Sequence, residues 1–381
     1  MMDFVNTSFT SLCHHFQTFD FSSFYPCIPS LNATPSPSVI LPNFGLSYFT
    51  MTFGVLSNLM ALSILAKSYM HSHRRAKAPF LLLAATLLLT DLAGIVITGA
   101  FALYLHLGRV RRHRAAGQVF EPTQGFCKLF GSCMVFFGLC PLFLGSAMAV
   151  ERCLGITQPL LHSAVITTPR VRLAVLPFAV GTVLLAVLPL LDVGNYTPQF
   201  PGTWCFLPVH GSLSRADTIL ALTFSSLGLV ALTLSVLCNI MSGITLLQAR
   251  LSTHAFRPNT LRQHNQTAAS SVVYSLDIEM MIQLAVITVV SCVCWGPFLI
   301  YISISVRRFY EASPVSRNQQ EHLLLLCLRM ASWNQILDPW VYILLRQAIL
   351  NRVCRLLRPN KASFLQSSSC EHSHRQEMCL H

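Results

Sequence analysis

The sequence predicts an all-α membrane protein: a seven-transmembrane helix bundle with a short amphipathic cytoplasmic helix. Three observations carry that expectation. Of 381 residues, 53% are hydrophobic and only 10% charged, with a mean hydropathy of +0.56, outside the range of water-soluble domains. Seven apolar runs of spanning length follow one another, at roughly 44–68, 78–105, 125–156, 173–191, 216–247, 280–305 and 321–345. The formal net charge of +12 is scattered over the short connections between those runs. A nucleic-acid-binding domain would gather it on one hydrophilic face, so the expected surroundings are membrane lipids and no nucleic acid.

Residues 1–43 form a polar arm rich in Ser, Thr, Pro and Phe, with glycosylation sequons at Asn6 and Asn32 and two cysteines, Cys13 and Cys27, that are candidates to pair. The start, MMDFVNTSF, lacks a basic segment followed by an apolar core, so no cleavable signal is expected and the first span does the targeting. With the arm outside, about sixteen Lys and Arg residues fall in the inner loops and tail and about eight in the outer loops, the bias that orients membrane helices. The expected location is the plasma membrane, multi-pass, with the N-terminus extracellular and the C-terminus cytoplasmic. Arg109, Arg111, Arg112 and Arg114 crowd the first outer loop. They read as a solvated basic loop or as an anion-attracting mouth.

Residues 44–345 then make the helical domain, and its embedded polar residues carry the functional expectations, because each is costly in lipid. Asn58 in the first span, Asp91 in the second, and Asn334 and Asp338 in the seventh sit at compatible depths; they either glue helices or form a switch network. Pro339 beside Asp338 and Pro297 after Trp295 each remove a helical hydrogen bond, which favours bends at those levels. Cys127 and Cys205 both face the oxidising side, where a bridge is expected. Glu151-Arg152 sets an acid beside a base at the inner end of the third span, either a self-contained pair able to open or a stop-transfer cluster. The third inner connection, roughly 248–279, reads as a flexible polar loop. Residues 346–381 comprise the amphipathic helix, to about Leu357, and a Ser- and His-rich tail.

Arg329 is the residue that most needs explaining. At a rise of ~1.5 Å per residue it lies about 9 Å inside the run that starts at Leu323. There an arginine costs roughly 2.5–3.5 kcal/mol to insert and calls for an anionic partner. The first, third, fourth and sixth spans have no Asp or Glu in their outer halves, and Asp91 and Asp338 lie deeper. An anion from outside the protein fits best.

Together these motifs resemble the rhodopsin-like G-protein-coupled receptors and, within them, the prostanoid receptors. GVLSN ending at Asn58, Asp91, Cys127 with Cys205, and CWGP at 294–297 match the wider family; Glu151-Arg152-Cys153 and DPWVY at 338–342, which includes Tyr342, match the prostanoid branch. GTWCF at 202–206, CMVFFGLCPL at 133–142 and RMASWNQILDPWVYILLR at 329–346 are the most specific. The resemblance covers about residues 45–357.

It implies that Arg329 holds a prostaglandin carboxylate, shared with Thr203, under a lid formed by Trp204. Ser332, one turn inward, is placed near the ring or chain oxygens, and Met134, Phe137, Trp295 and Phe298 line an apolar slot. Two departures stand out: His106 where a tyrosine is usual, and Ile95 where the nearest subtypes carry a histidine that reads a ring oxygen. The implied ligand is prostaglandin E2, with prostaglandin F2α as the alternative, and the implied partner is a heterotrimeric G protein, most directly of the Gq class with calcium signalling. No cofactor, metal or enzymatic activity is expected, and none of the cysteines has zinc-ligand spacing. An organic-anion transporter is the alternative from another class, permitted by Arg329 and the basic outer loops but without the repeats of such folds.

Overall fold

The computed structural model describes residues 44–71, 78–116, 123–160, 162, 168–211, 213–255, 264–310 and 317–357. Asn6, Asn32, Cys13 and Cys27 lie outside them. Seven long helices run α1 (Phe44–His71), α2 (Ala78–Ala116), α3 (Gln124–Thr157), α4 (Thr168–Val187), α5 (Arg215–Ala255), α6 (His264–Tyr310) and α7 (Arg317–Leu357). An unbroken apolar run leaves a helix as the one way to pair every backbone group within its own segment. Six of the helices contain stretches long and apolar enough to cross a membrane, from Tyr48–Lys67 in α1 to Met281–Arg307 in α6. The seventh, α7, is the more polar one that carries Arg329 and Asp338.

Helix ends depart from the apolar runs. The connection expected to be irregular over 248–279 is helical up to Ala255 and again from His264. Gln, Ala, Leu and Arg are good helix formers, so each helix outlasts its hydrophobic pattern. Likewise α7 begins at Arg317 and is helical without a break through the expected amphipathic segment to Leu357. Prolines 141, 177, 297 and 339 sit inside helices.

Helix α3 is the hub, touching α2, α4, α5 and α6. Over its first turns lies the α4–α5 connection, a 3₁₀ turn (Leu188–Leu191) followed by an antiparallel hairpin, β1 (Thr197–Gln199) and β2 (Trp204–Phe206), with Thr197 opposite Phe206. The turn reverses through Asp192 (φ 63°) and Gly194 (φ 83°), left-handed positions that suit Gly and, among other residues, Asp. A disulfide from Cys127 of α3 to Cys205 of β2, Cα–Cα 5.4 Å, ties the hairpin down, as expected. A second tie is aromatic: the Tyr196 ring rests on Gly131, where any Cβ would overlap it, and its phenol donates to the Ala186 carbonyl at 3.0 Å. Burial pushes the Tyr196 phenol up, which keeps it a donor. Ser214 and Asp217 cap α5 reciprocally, and Asp217 also accepts the Asn195 N–H at 2.7 Å.

Two apolar clusters result. One, at the hairpin end, joins Phe130, Leu139, Phe206, Phe224, Trp295 and Phe298; the other, at the opposite end, joins Leu87, Leu144, Met148, Leu284 and Val341. Between them lies the level of Asp91, Asn334 and Asp338.

Candidate functional site

Leu324, Cys327, Ala331, Asn334 and Asp338 form the buried stripe of α7. At about 100° per residue, Arg329 falls on the opposite side of the helix. The inner half of that side is covered by α1: Ile336 would be 3.2 Å from a Cβ on Gly54, and Trp340 stacks on Phe53 at 5.5 Å. The outer half is open, so Arg329 is exposed rather than enclosed by its neighbours. It lies about 18 Å along α7 from Arg317, because the helix starts six polar residues before Leu323. Among the described residues no hydrogen bond or ion pair reaches its guanidinium. Ser332, also exposed, turns its hydroxyl to the Arg329 carbonyl at 2.7 Å.

Thr203 and Trp204 both lie at the hairpin. Thr203 is half-buried beside the hairpin turn, while Trp204 is buried with its indole N–H donated to the Phe200 carbonyl at 2.9 Å. Phe200 meets His322 of α7 edge to face at 4.7 Å, and Arg109 of α2 donates to the Pro201 carbonyl. The hairpin turn therefore spans from α2 to α7. His106 sits half-buried one turn below Arg109.

The apolar slot residues separate into two kinds. Met134 is half-buried against the hairpin-end cluster, and Phe137 is half-buried beside Gly94 of α2, 3.3 Å from where a Cβ would stand. Trp295 and Phe298 are core: their rings meet at 6.1 Å, and Gly138 of α3 is a close seat, 3.0 Å from the Trp295 ring edge to a would-be Cβ. Phe206 and Phe224 complete this aromatic group, with Phe206 5.2 Å from Phe224 and 5.5 Å from Phe298. Sequence reasoning missed both; the signal was Phe206 inside the quoted GTWCF.

Ile95 does not face a ligand slot. Its side chain fills the notch at Gly54, beside Ile336, at the junction of α1, α2 and α7.

The polar level is joined by hydrogen bonds only in part. Asn334 donates to Asp338 at 2.8 Å, both buried, and Asp91, fully buried, lies within electrostatic reach of Asp338. Asn58 gives its amide hydrogens to the Gly54 carbonyl at 2.9 Å and the Gln335 carbonyl at 3.0 Å. That second acceptor is the one Pro339 leaves without a helical donor, four residues back. Gln335 is legible in the sequence from that arithmetic alone. Of Tyr342 only the backbone is described. In α6 Pro297 likewise frees the Val293 carbonyl, two residues before Trp295. At the end of α3, Glu151 and Arg152 are paired through two hydrogen bonds, 2.5 and 2.6 Å.

Among the described residues, no group of His, Cys, Asp and Glu could hold a metal ion. The profile of the 7 transmembrane receptor (rhodopsin family) matches residues 57–342. The chain is 42% identical to the prostaglandin E2 receptor EP1 subtype of Rattus norvegicus over 363 residues, 85% of this chain and 86% of that one. The Homo sapiens protein of that name is also 42% identical, covering 88% and 87%. It is 41% identical to the prostaglandin F2-alpha receptor of Homo sapiens, covering 81% and 80%. Among solved structures, squid rhodopsin superposes with a TM-score of 0.64 at 14% identity, covering 88% of this chain and 93% of that one, a likeness of fold.

Proposed function

The chain belongs to the rhodopsin-like seven-transmembrane receptors, in their prostanoid branch, and from that premise we propose that it is a plasma-membrane receptor for prostaglandin E2 coupled to a heterotrimeric G protein of the Gq class. The observation that carries the ligand class is Arg329: a cation within a membrane-spanning helix, without a described partner, beneath a hairpin turn that reaches from α2 to α7. A lipid carboxylate supplies the missing charge. Thr203 and Ser332 add hydroxyls for the acid and ring oxygens, and His106 a ring nitrogen near the mouth. The Cys127–Cys205 bridge favours an outside location for the hairpin end, because disulfides persist on the oxidising side. The basic inner loops support the same orientation.

The test is binding of labelled prostaglandin E2 to membranes expressing the chain. Arg329→Ala is expected to weaken it about 100-fold or more, in line with removing one partner of a desolvated charge pair. The methyl ester should bind wild type poorly and lose nothing further in the mutant. Unchanged affinity in well-expressed Arg329→Ala would sink the assignment.

A second reading, preference for prostaglandin F2α, is favoured by the near-equal identity to the prostaglandin F2-alpha receptors. Competition between the two ligands on wild-type membranes decides it. An apolar slot rejects an extra hydroxyl only weakly, on the order of 100-fold at most, so both are expected to bind.

A further inference from the structure

The end of α3 opposite the hairpin holds a cluster that ligand binding does not use. The Glu151 side chain is 3% exposed, and from described residues it receives three hydrogen bonds: Arg152 Nε and Nη2 at 2.5 and 2.6 Å, and His162 Nε2 at 3.1 Å. An ionised carboxylate only accepts, so Nε2 of His162 carries the proton in this contact. His162 and Arg152 Nη2 meet the same oxygen, Oε1.

The chain builds this contact locally. Helix α3 ends at Thr157, and Gln158 leaves helical geometry at φ −137°. Pro159 brings no N–H, and the next turn closes when His162 N–H donates to the Gln158 carbonyl at 2.9 Å. That turn folds the imidazole back onto α3. Gly155 leaves it room: a Cβ there would stand 3.3 Å from His162 Cδ2. Arg152 meanwhile lies 4.8 Å from the Phe80 ring centre.

We propose that His162 is a positioning residue for G-protein coupling: it keeps Glu151 paired when Arg152 leaves to meet the G protein. A carboxylate this enclosed cannot be left without a donor at low cost. The cost of freeing Arg152 therefore falls on Glu151. While Arg152 is engaged, its two hydrogen bonds satisfy Glu151 and His162 adds little. Once Arg152 departs, His162 is the described donor that remains on Oε1. Removing His162 thus destabilises the released arrangement more than the paired one, the opposite of what a clamp on the resting state would do.

This rests on the receptor reading above. The experiment is nucleotide exchange on a purified heterotrimeric Gq protein, stimulated by prostaglandin E2, with the full chain in membranes. His162→Ala is expected to lower the stimulated rate about 10-fold, with prostaglandin binding in the absence of G protein unchanged within about twofold. His162→Asn, which retains an N–H donor, should recover most of the rate, and Gly155→Ala, which presses on the ring without removing it, should cost less than His162→Ala. In a Glu151→Gln background, where no charge needs a partner, His162→Ala should have no further effect. Raised basal exchange in His162→Ala, an unchanged rate, or an equal loss in the Glu151→Gln background each overturns the proposal. A wild-type chain that binds prostaglandin but promotes exchange on no G protein overturns the coupling reading and this inference with it.

Discussion

Ile95 shows how far a residue's meaning depends on its neighbours. By position it was expected to shape ring selectivity, yet its side chain fills the Gly54 notch beside Ile336. Ile95→His would bury an imidazole there without a designed partner, at a cost of about 1–3 kcal/mol. The expected outcome is a lower melting temperature of the detergent-purified protein and an unaltered ratio of prostaglandin E2 to prostaglandin F2α affinity. A changed ratio with unchanged melting would return Ile95 to the ligand slot. Gly138 is a comparable case, since a methyl there presses on Trp295 and must move it by a few tenths of an ångström. Overpacking of this kind costs roughly 1–3 kcal/mol.

Prolines inside helices become legible once the carbonyls they free are traced. Pro339 deprives Gln335 of its donor, and Asn58, on a different helix, supplies one at 3.0 Å. The carbonyl that Pro339 frees in α7 is thereby paired from α1. Asn58→Ala should lower stability by about 1–3 kcal/mol, the cost of a buried carbonyl left unpaired. In a Pro339→Ala background the helix provides its own N–H, so the same substitution should cost markedly less. A thermal double-mutant cycle measures the difference, and additive losses would show that Asn58 acts through something other than that carbonyl.

Across the whole molecule, the α4–α5 connection is fastened to α3 by the Cys127–Cys205 bridge, with a sequence separation of 78. On the chain-entropy account, closing a loop of that length stabilises by about 4.5 kcal/mol. Cys127→Ala and Cys205→Ala are each expected to abolish prostaglandin binding at the cell surface, with the double mutant no worse than either. Strictly additive losses in surface binding would contradict a shared bridge. The bridge also sets where the aromatic group lies: it brings Phe206 into the bundle against Phe224 and Phe298, so the hairpin and the Trp295 level of α6 share one core.

The apolar runs determined the seven helices, because an unbroken stretch without water has few other ways to satisfy its backbone. The same reasoning identified Arg329, Asp91, Asn334 and Asp338 as costly residues in need of partners, and the motifs around them identified the receptor family. Which way a side chain faces was decided only in three dimensions. Arg329 lies opposite the buried stripe of α7, Ile95 is sequestered by α1, and His162 reaches Glu151 through a turn that begins at a helix end. Hydropathy reports how deep a residue lies, whereas its partner is chosen by helix rotation and by where a chain turns back, and both depend on packing against other elements.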